Sequence, residues 1–323
     1  MSPLFDRHPA RISSALEDTR LARLLKSLHS TARSATLATA DLCISQVAHL
    51  LEQKAGDAAD WTVREHRVRT LAAYLSGSRV TALWLERAPD SADANLLHAA
   101  TCVHLALSGG ADIPSEVVDW CTRAGAARPE DPTPWAVLLD AYRLLGGHRS
   151  DVFSAWSEAT ARDRWHRGAY ISMLSYLSPR EAGSSLAMME FVDRVKANTP
   201  YDGPCASLEL RLHVYQFHAL RTRDRMNEVL SGHYWRRPAP MSCLEDISTT
   251  WPTPGFLRHS QRLDDLNLLA YALVSAEQRR EAAPVFAALR GRATLRPWGE
   301  TEKESMAAFR EESIRCARLS PRD

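Results

Sequence analysis

Lysine is nearly missing from this chain. Only Lys26, Lys54, Lys196 and Lys303 occur among 323 residues, so almost all of the 40 basic side chains are arginine. They are balanced by 39 acidic residues, which leaves a formal net charge of +1. That balance argues against a general polyanion binder, which needs a clear excess of Lys and Arg. No apolar run approaches the roughly 20 residues that cross a bilayer, and the segment from Met1 to His8 lacks the apolar stretch of a signal peptide. The six cysteines, Cys43, Cys102, Cys121, Cys205, Cys243 and Cys316, are widely spread and form no C-x2-C pair. A zinc ribbon and a thioredoxin motif are therefore excluded. The expectation is a cytoplasmic protein whose reduced cysteines serve as small buried apolar groups.

Specific catalytic motifs are also missing. The chain has no G-x4-G-K-[ST] loop and no G-x-G-x-x-G turn to cradle phosphate. It has no G-x-S-x-G elbow and no H-E-x-x-H helix. Asp264-Asp265 lacks the third acid and the second Asn/Asp-Ser-Glu series of an all-α terpene synthase, so it reads as acids favouring a helix N-terminus. His98 and Cys102, with His104 nearby, lie on one helical face, yet the sequence points to no further ligands for a closed metal site. His213 and His218 are five apart, which turns them to different sides of a helix. No catalytic residue, cofactor or metal is assigned.

What is present is one repeated pattern, apolar residues at i, i+3, i+4 and i+7. It runs through Leu21, Leu24, Leu25 and Leu28, then Ile44, Val47, Ala48 and Leu51, then Val68, Leu71, Ala72 and Leu75. It returns at Val117, Trp120, Cys121 and Ala124, at Met188, Phe191, Val192 and Val195, and twice more before residue 290. Strict alternation is hard to find, and the predicted fold is all-α. Turn residues punctuate the stripes at Pro89-Asp90, Gly109-Gly110, Pro129 to Pro132 and Gly146-Gly147. Thr301 to Glu304 predicts a capping box opening the last helix. The extreme ends, up to about Arg11 and after about Arg318, are expected to be loose.

Trp135, Leu138 and Tyr142 follow the spacing W-x2-L-G-x2-Y, with Leu139 in place of the glycine. Thirty-five residues on, Tyr170, Met173 and Leu177 take the corresponding positions. The second helix carries Phe153, Trp156 and Ala159. Over residues 89–197 this resembles the tetratricopeptide repeat. The resemblance implies a right-handed helix-hairpin array, an α-solenoid with helical caps. Residues 1–88 would form an N-terminal helical segment or cap, 89–200 the repeat-like pairs, and 201–323 the C-terminal helices. It further implies that the first helix of each pair lines a groove. For the best unit that face carries Thr133, Ala136, Asp140 and Arg143, and Asp140 and Arg143 are the expected contacts to a mixed-charge peptide.

One stretch, Gly232 to Ser260, breaks the helical rhythm. It holds Tyr234, Trp235, Trp251 and Phe256, too many aromatics for a disordered linker, and is predicted to be a long ordered loop over the helices. Trp235, Arg236, Arg237, Trp251 and His259 are its candidate ligand-lining residues. Arg221, Arg223 and Arg225 precede it as a further arginine cluster. The functional expectation is a non-enzymatic scaffold or adaptor that binds a protein or peptide. The alternative is an enzyme or small-molecule binder with a pocket beneath the 232–260 stretch. The charge balance argues against a nucleic-acid partner, and no membrane partner is expected.

Overall fold

The computed structural model describes residues 9–31, 37–53, 61–221 and 233–319. Among these the chain is all-α, with fifteen α-helices, one 3-10 turn and a pair of two-residue strands. It divides into two compact units, Asp18–Ala187 and a second made from Met1–Glu17 with Met188–Asp323. The sequence places its boundaries elsewhere, at residues 88/89 and 200/201.

The first unit contains α1 (Thr19–Thr31), α2 (Leu37–Glu52), α3 (Trp61–Leu75), α4 (Val80–Arg87) and α5 (Ala92–Leu107). It continues with α6 (Val117–Ala127), α7 (Thr133–Leu145), α8 (Arg149–Arg162) and α9 (Arg167–Tyr176). Most consecutive helices pack on one another, as short turns demand. Gly146 ends α7 in the left-handed region at φ 64°, and Gly147 N–H closes back on the Tyr142 carbonyl. Alternate helices meet as well: α3 packs on α5, α5 on α7 and α7 on α9, while α3 also reaches α7 and α9. Helix α7 is therefore enclosed. Pro134, Ala136, Val137, Leu138, Leu139, Asp140 and Ala141 are all buried, on every side of its first two turns.

The second unit carries β1 (Arg11–Ile12), α11 (Leu208–Arg221), the 3-10 turn Tyr234–Arg236, α12 (Pro238–Ser248) and α13 (Arg262–Ser275). It ends with α14 (Arg279–Leu289), β2 (Arg292–Ala293) and α15 (Glu302–Leu319), and the division between the units falls inside α10 (Ser185–Lys196). Its core gathers Leu210, Trp235, Leu244, Trp251, Leu269, Phe286 and Phe309. The capping box forms as predicted: Glu304 N–H donates to Thr301 Oγ1, and Glu304 Oε2 accepts from Thr301 N–H.

One expectation changes. The stretch from Gly232 to Ser260 is not an irregular loop, because α12 occupies its middle. Two prolines, Pro238 and Pro240, hide that helix from a sequence reading. Pro238 starts it, where a missing N–H costs nothing, and the buried Pro240, Cys243 and Leu244 give it a helical stripe. From Arg11, the bound expected for the loose N-terminal end, the chain is held in place. Arg11 and Ile12 pair in parallel with Arg292 and Ala293, and Glu17 bonds Arg262 at 2.5 Å and Arg292 at 3.2 Å.

Candidate functional site

The densest chemistry of the first unit is a chain of charges linking α3, α7 and the start of α9, with Glu65 and Asp140 buried and Arg69 and Arg143 half-buried. Glu65 on α3 accepts from Gly168 N–H at 3.1 Å and from Arg69 Nε at 2.7 Å, four residues further along its own helix. Arg69 Nη1 then reaches Asp140 Oδ2 at 3.0 Å. Asp140 Oδ1 accepts from Arg143 Nη1 at 2.5 Å, and Arg143 turns its remaining nitrogens to Glu181 at 2.9 and 2.5 Å. Gly168 is required for this approach, since a Cβ there would lie 1.5 Å from Glu65 Oε1. A second cluster joins Arg64 to Asp93 at 2.6 Å and to Asp131 at 2.5 Å, with Arg128 also on Asp93.

Burial alone would raise the Glu65 carboxyl, but His166 and Arg69 outweigh it and hold it below the usual range. Asp140 behaves alike: burial pushes it up, and Arg69 and Arg143 bring it down further. Both stay ionised and fully engaged. A buried charge whose partners already satisfy it holds packing in register and has no proton or lone pair to spare.

Asp140 and Arg143, the two side chains the repeat resemblance assigns to a peptide groove, are therefore spent inside the unit. Helix α3 covers the face on which they sit. Thr133 and Ala136 of the same face are buried as well. Trp235 and Trp251 are drawn into the core of the second unit at 2% and 3% exposure. His259 is buried with Nε2 3.2 Å from Asp265 Oδ2. Arg236 and Arg237 stay on the surface. Arg236 lies 3.6 Å from an equally exposed Glu277, and Arg237 sits over the Tyr234 ring at 5.3 Å. Arg221 covers the Phe217 ring, whereas Arg223 and Arg225 lie outside the described residues.

The other sequence candidates resolve in the same way. His98 stacks edge-on with Trp120 and bonds Thr81 through Nδ1, with Cys102 Sγ 4.0 Å from Nε2. Asp264 pairs with Arg211 at 2.5 Å in the first turn of α13. His218 stacks on Tyr271.

One constellation escaped the sequence reading. Glu209 and His213 on α11 meet Cys243 on α12, and one ligand atom from each lies within 4.8 Å of the other two. Among the described residues no other group of three or more His, Cys, Asp and Glu side chains comes so close. The i, i+4 spacing of Glu209 and His213 was visible, but His213 had been weighed against His218. Cys243 joins only because α12 exists. Lys196 rests on Glu209 at 2.7 Å, and that bond raises its pKa. Tyr234 faces His213 Nδ1 at 2.9 Å.

No family model, curated protein or solved structure matches the chain. Among the described residues no helix is long and apolar enough to cross a membrane.

Proposed function

We propose that this protein is a non-enzymatic interaction protein, a helix-hairpin array of the tetratricopeptide kind that binds a protein or peptide partner. One observation carries the reading. Trp135 and Tyr170, thirty-five residues apart in sequence, each lie in the first turn of their helix, α7 and α9. Trp135 lies over Gly125 of the preceding helix α6, where a Cβ would come within 2.8 Å of its ring. Tyr170 meets Trp156 of the preceding helix α8 edge-on at 5.9 Å. Each first helix thus sets an aromatic ring against the second helix before it, as stacked hairpins do.

Because Thr133, Ala136 and Asp140 are buried and Arg143 is engaged by Asp140 and Glu181, the partner contact is assigned to exposed side chains. Of the residues selected from sequence, Arg236 and Arg237 are the surface pair. A guanidinium offers a fork of donors suited to carboxylates, and Arg is enriched where interfaces concentrate binding energy. Native mass spectrometry of the full chain, purified gently from its source cells, should retain a protein partner. Joint Arg236→Ala and Arg237→Ala substitution should lower partner affinity about fivefold or more while leaving the melting temperature unchanged. A chain that carries only a small molecule, released on denaturation, would overturn the reading.

A further inference from the structure

We infer that Glu209, His213 and Cys243 form a binding site for a single borderline divalent cation of the zinc class, independent of the partner-binding reading. The donor set is a carboxylate, an imidazole and a thiol, the three side-chain types that zinc takes in proteins. Two helices supply it. Glu209 and His213 are one helical turn apart on α11, so both project from the same face. Helix α12 packs on α11 and brings Cys243 to that face, with its sulfur buried. A tetrahedral zinc ion with bonds of about 2.0–2.3 Å holds its ligand atoms about 3.5 Å apart. The three groups lie within 4.8 Å of one another, so binding has to draw them in by about 1 Å.

The hydrogen bonds around His213 prepare one nitrogen for a metal. Tyr234 donates its only hydroxyl proton to Gln216 Oε1 at 2.8 Å. Its oxygen can therefore only accept from His213, whose Nδ1 carries the proton at 2.9 Å. That tautomer leaves the lone pair on Nε2. A ligating histidine held through its other nitrogen is the usual second partner of a metal site.

The Lys196 ammonium already occupies the Glu209 carboxylate as a single positive charge. A dication on the same oxygens would displace or share it. In the metal-free chain Cys243 starts as a thiol, since an ordinary cysteine keeps most of its protons near neutral pH. As the metal–sulfur bond forms, the S–H bond breaks heterolytically and its proton passes to solvent, with no change of oxidation state. Three protein ligands leave the fourth tetrahedral position to water or another group.

The test uses the full chain, kept reduced, titrated with cobalt(II) chloride and then with zinc chloride. Cobalt at one equivalent should give a near-ultraviolet thiolate-to-metal charge-transfer band together with the visible absorption of a four-coordinate ion. Zinc should abolish both. Cys243→Ser should remove the charge-transfer band, whereas Cys102→Ser, which breaks the other His–Cys pair, should leave it. Glu209→Gln, at a half-exposed position that tolerates the change, should weaken cobalt binding about tenfold or more. Absence of the band in the unaltered chain overturns the proposal, as does its loss in Cys102→Ser. Cobalt binding by Glu209→Gln at unaltered affinity overturns it equally, and neither the unaltered chain nor that variant depends on Cys243→Ser folding.

Discussion

Gly168 shows how far one absent methyl group can reach. Its bare Cα and its N–H let the Glu65 carboxylate approach the first turn of α9, and Glu65 in turn orients Arg69 toward Asp140. Gly168→Ala puts a carbon where Glu65 Oε1 now lies. Relief requires the carboxylate to retreat, which leaves Arg69 and the Gly168 N–H short of a partner inside the unit. The expected loss is about 1–3 kcal/mol, the cost of leaving the Gly168 N–H without its acceptor. Urea denaturation of the variant and the unaltered chain measures it, and a loss below about 1 kcal/mol would show that the network does not hold α9. Nothing in the sequence marked this pair. Glu65 and Gly168 are 103 residues apart, and only the fold brings them together.

At the scale of elements, legibility followed periodicity. The stripes of α3, α10 and α14 were read correctly because each buries one face: Val68, Leu71, Ala72 and Leu75 on α3 are all inside. Helix α7 was recognised by its repeat spacing, but its polar face was misjudged. Asp140 and Arg143 read as groove residues because charge ordinarily faces water; here α3 supplies Arg69 from across the unit. Helix α12 was missed because two prolines carry a turn signal that outweighed a short apolar stripe. The metal-competent cluster went with it. Trp135 tests the helix pairing directly. Its ring fills the space over Gly125 and lies beneath the Arg162 guanidinium at 4.9 Å. Trp135 is partly buried, so Trp135→Ala should destabilise the chain by about 2–3 kcal/mol in the same denaturation experiment, below the range for a fully buried Trp. Retention of full stability would remove the repeat assignment.

For the whole molecule, the internal ion pairs predict a response to acid. Glu65 and Asp140 titrate below their ordinary values of 4.5 and 3.8 when folded. The unfolded chain therefore binds protons first as pH falls. Their contribution to stability is complete above about pH 5, declines as pH drops through 4, and is lost once the folded carboxyls themselves protonate. The melting temperature should fall steeply below pH 4.5. Replacing Glu65 by Gln should flatten that fall, and an equal slope in the variant would mean that other carboxylates govern it.

The second unit is assembled from two separated parts of the chain. Residues 11 and 12 lie beside residues 292 and 293, and Glu17 bonds Arg262 and Arg292. The unit between them is thus an insertion, entered at residue 18 and left at residue 187. On a ribosome that order matters. The inserted unit can complete its own contacts while the first strand still waits for a partner made nearly three hundred residues later. Folding of the second unit is therefore bound to the last part of translation, and the early segment is an unpaired strand edge for the whole interval.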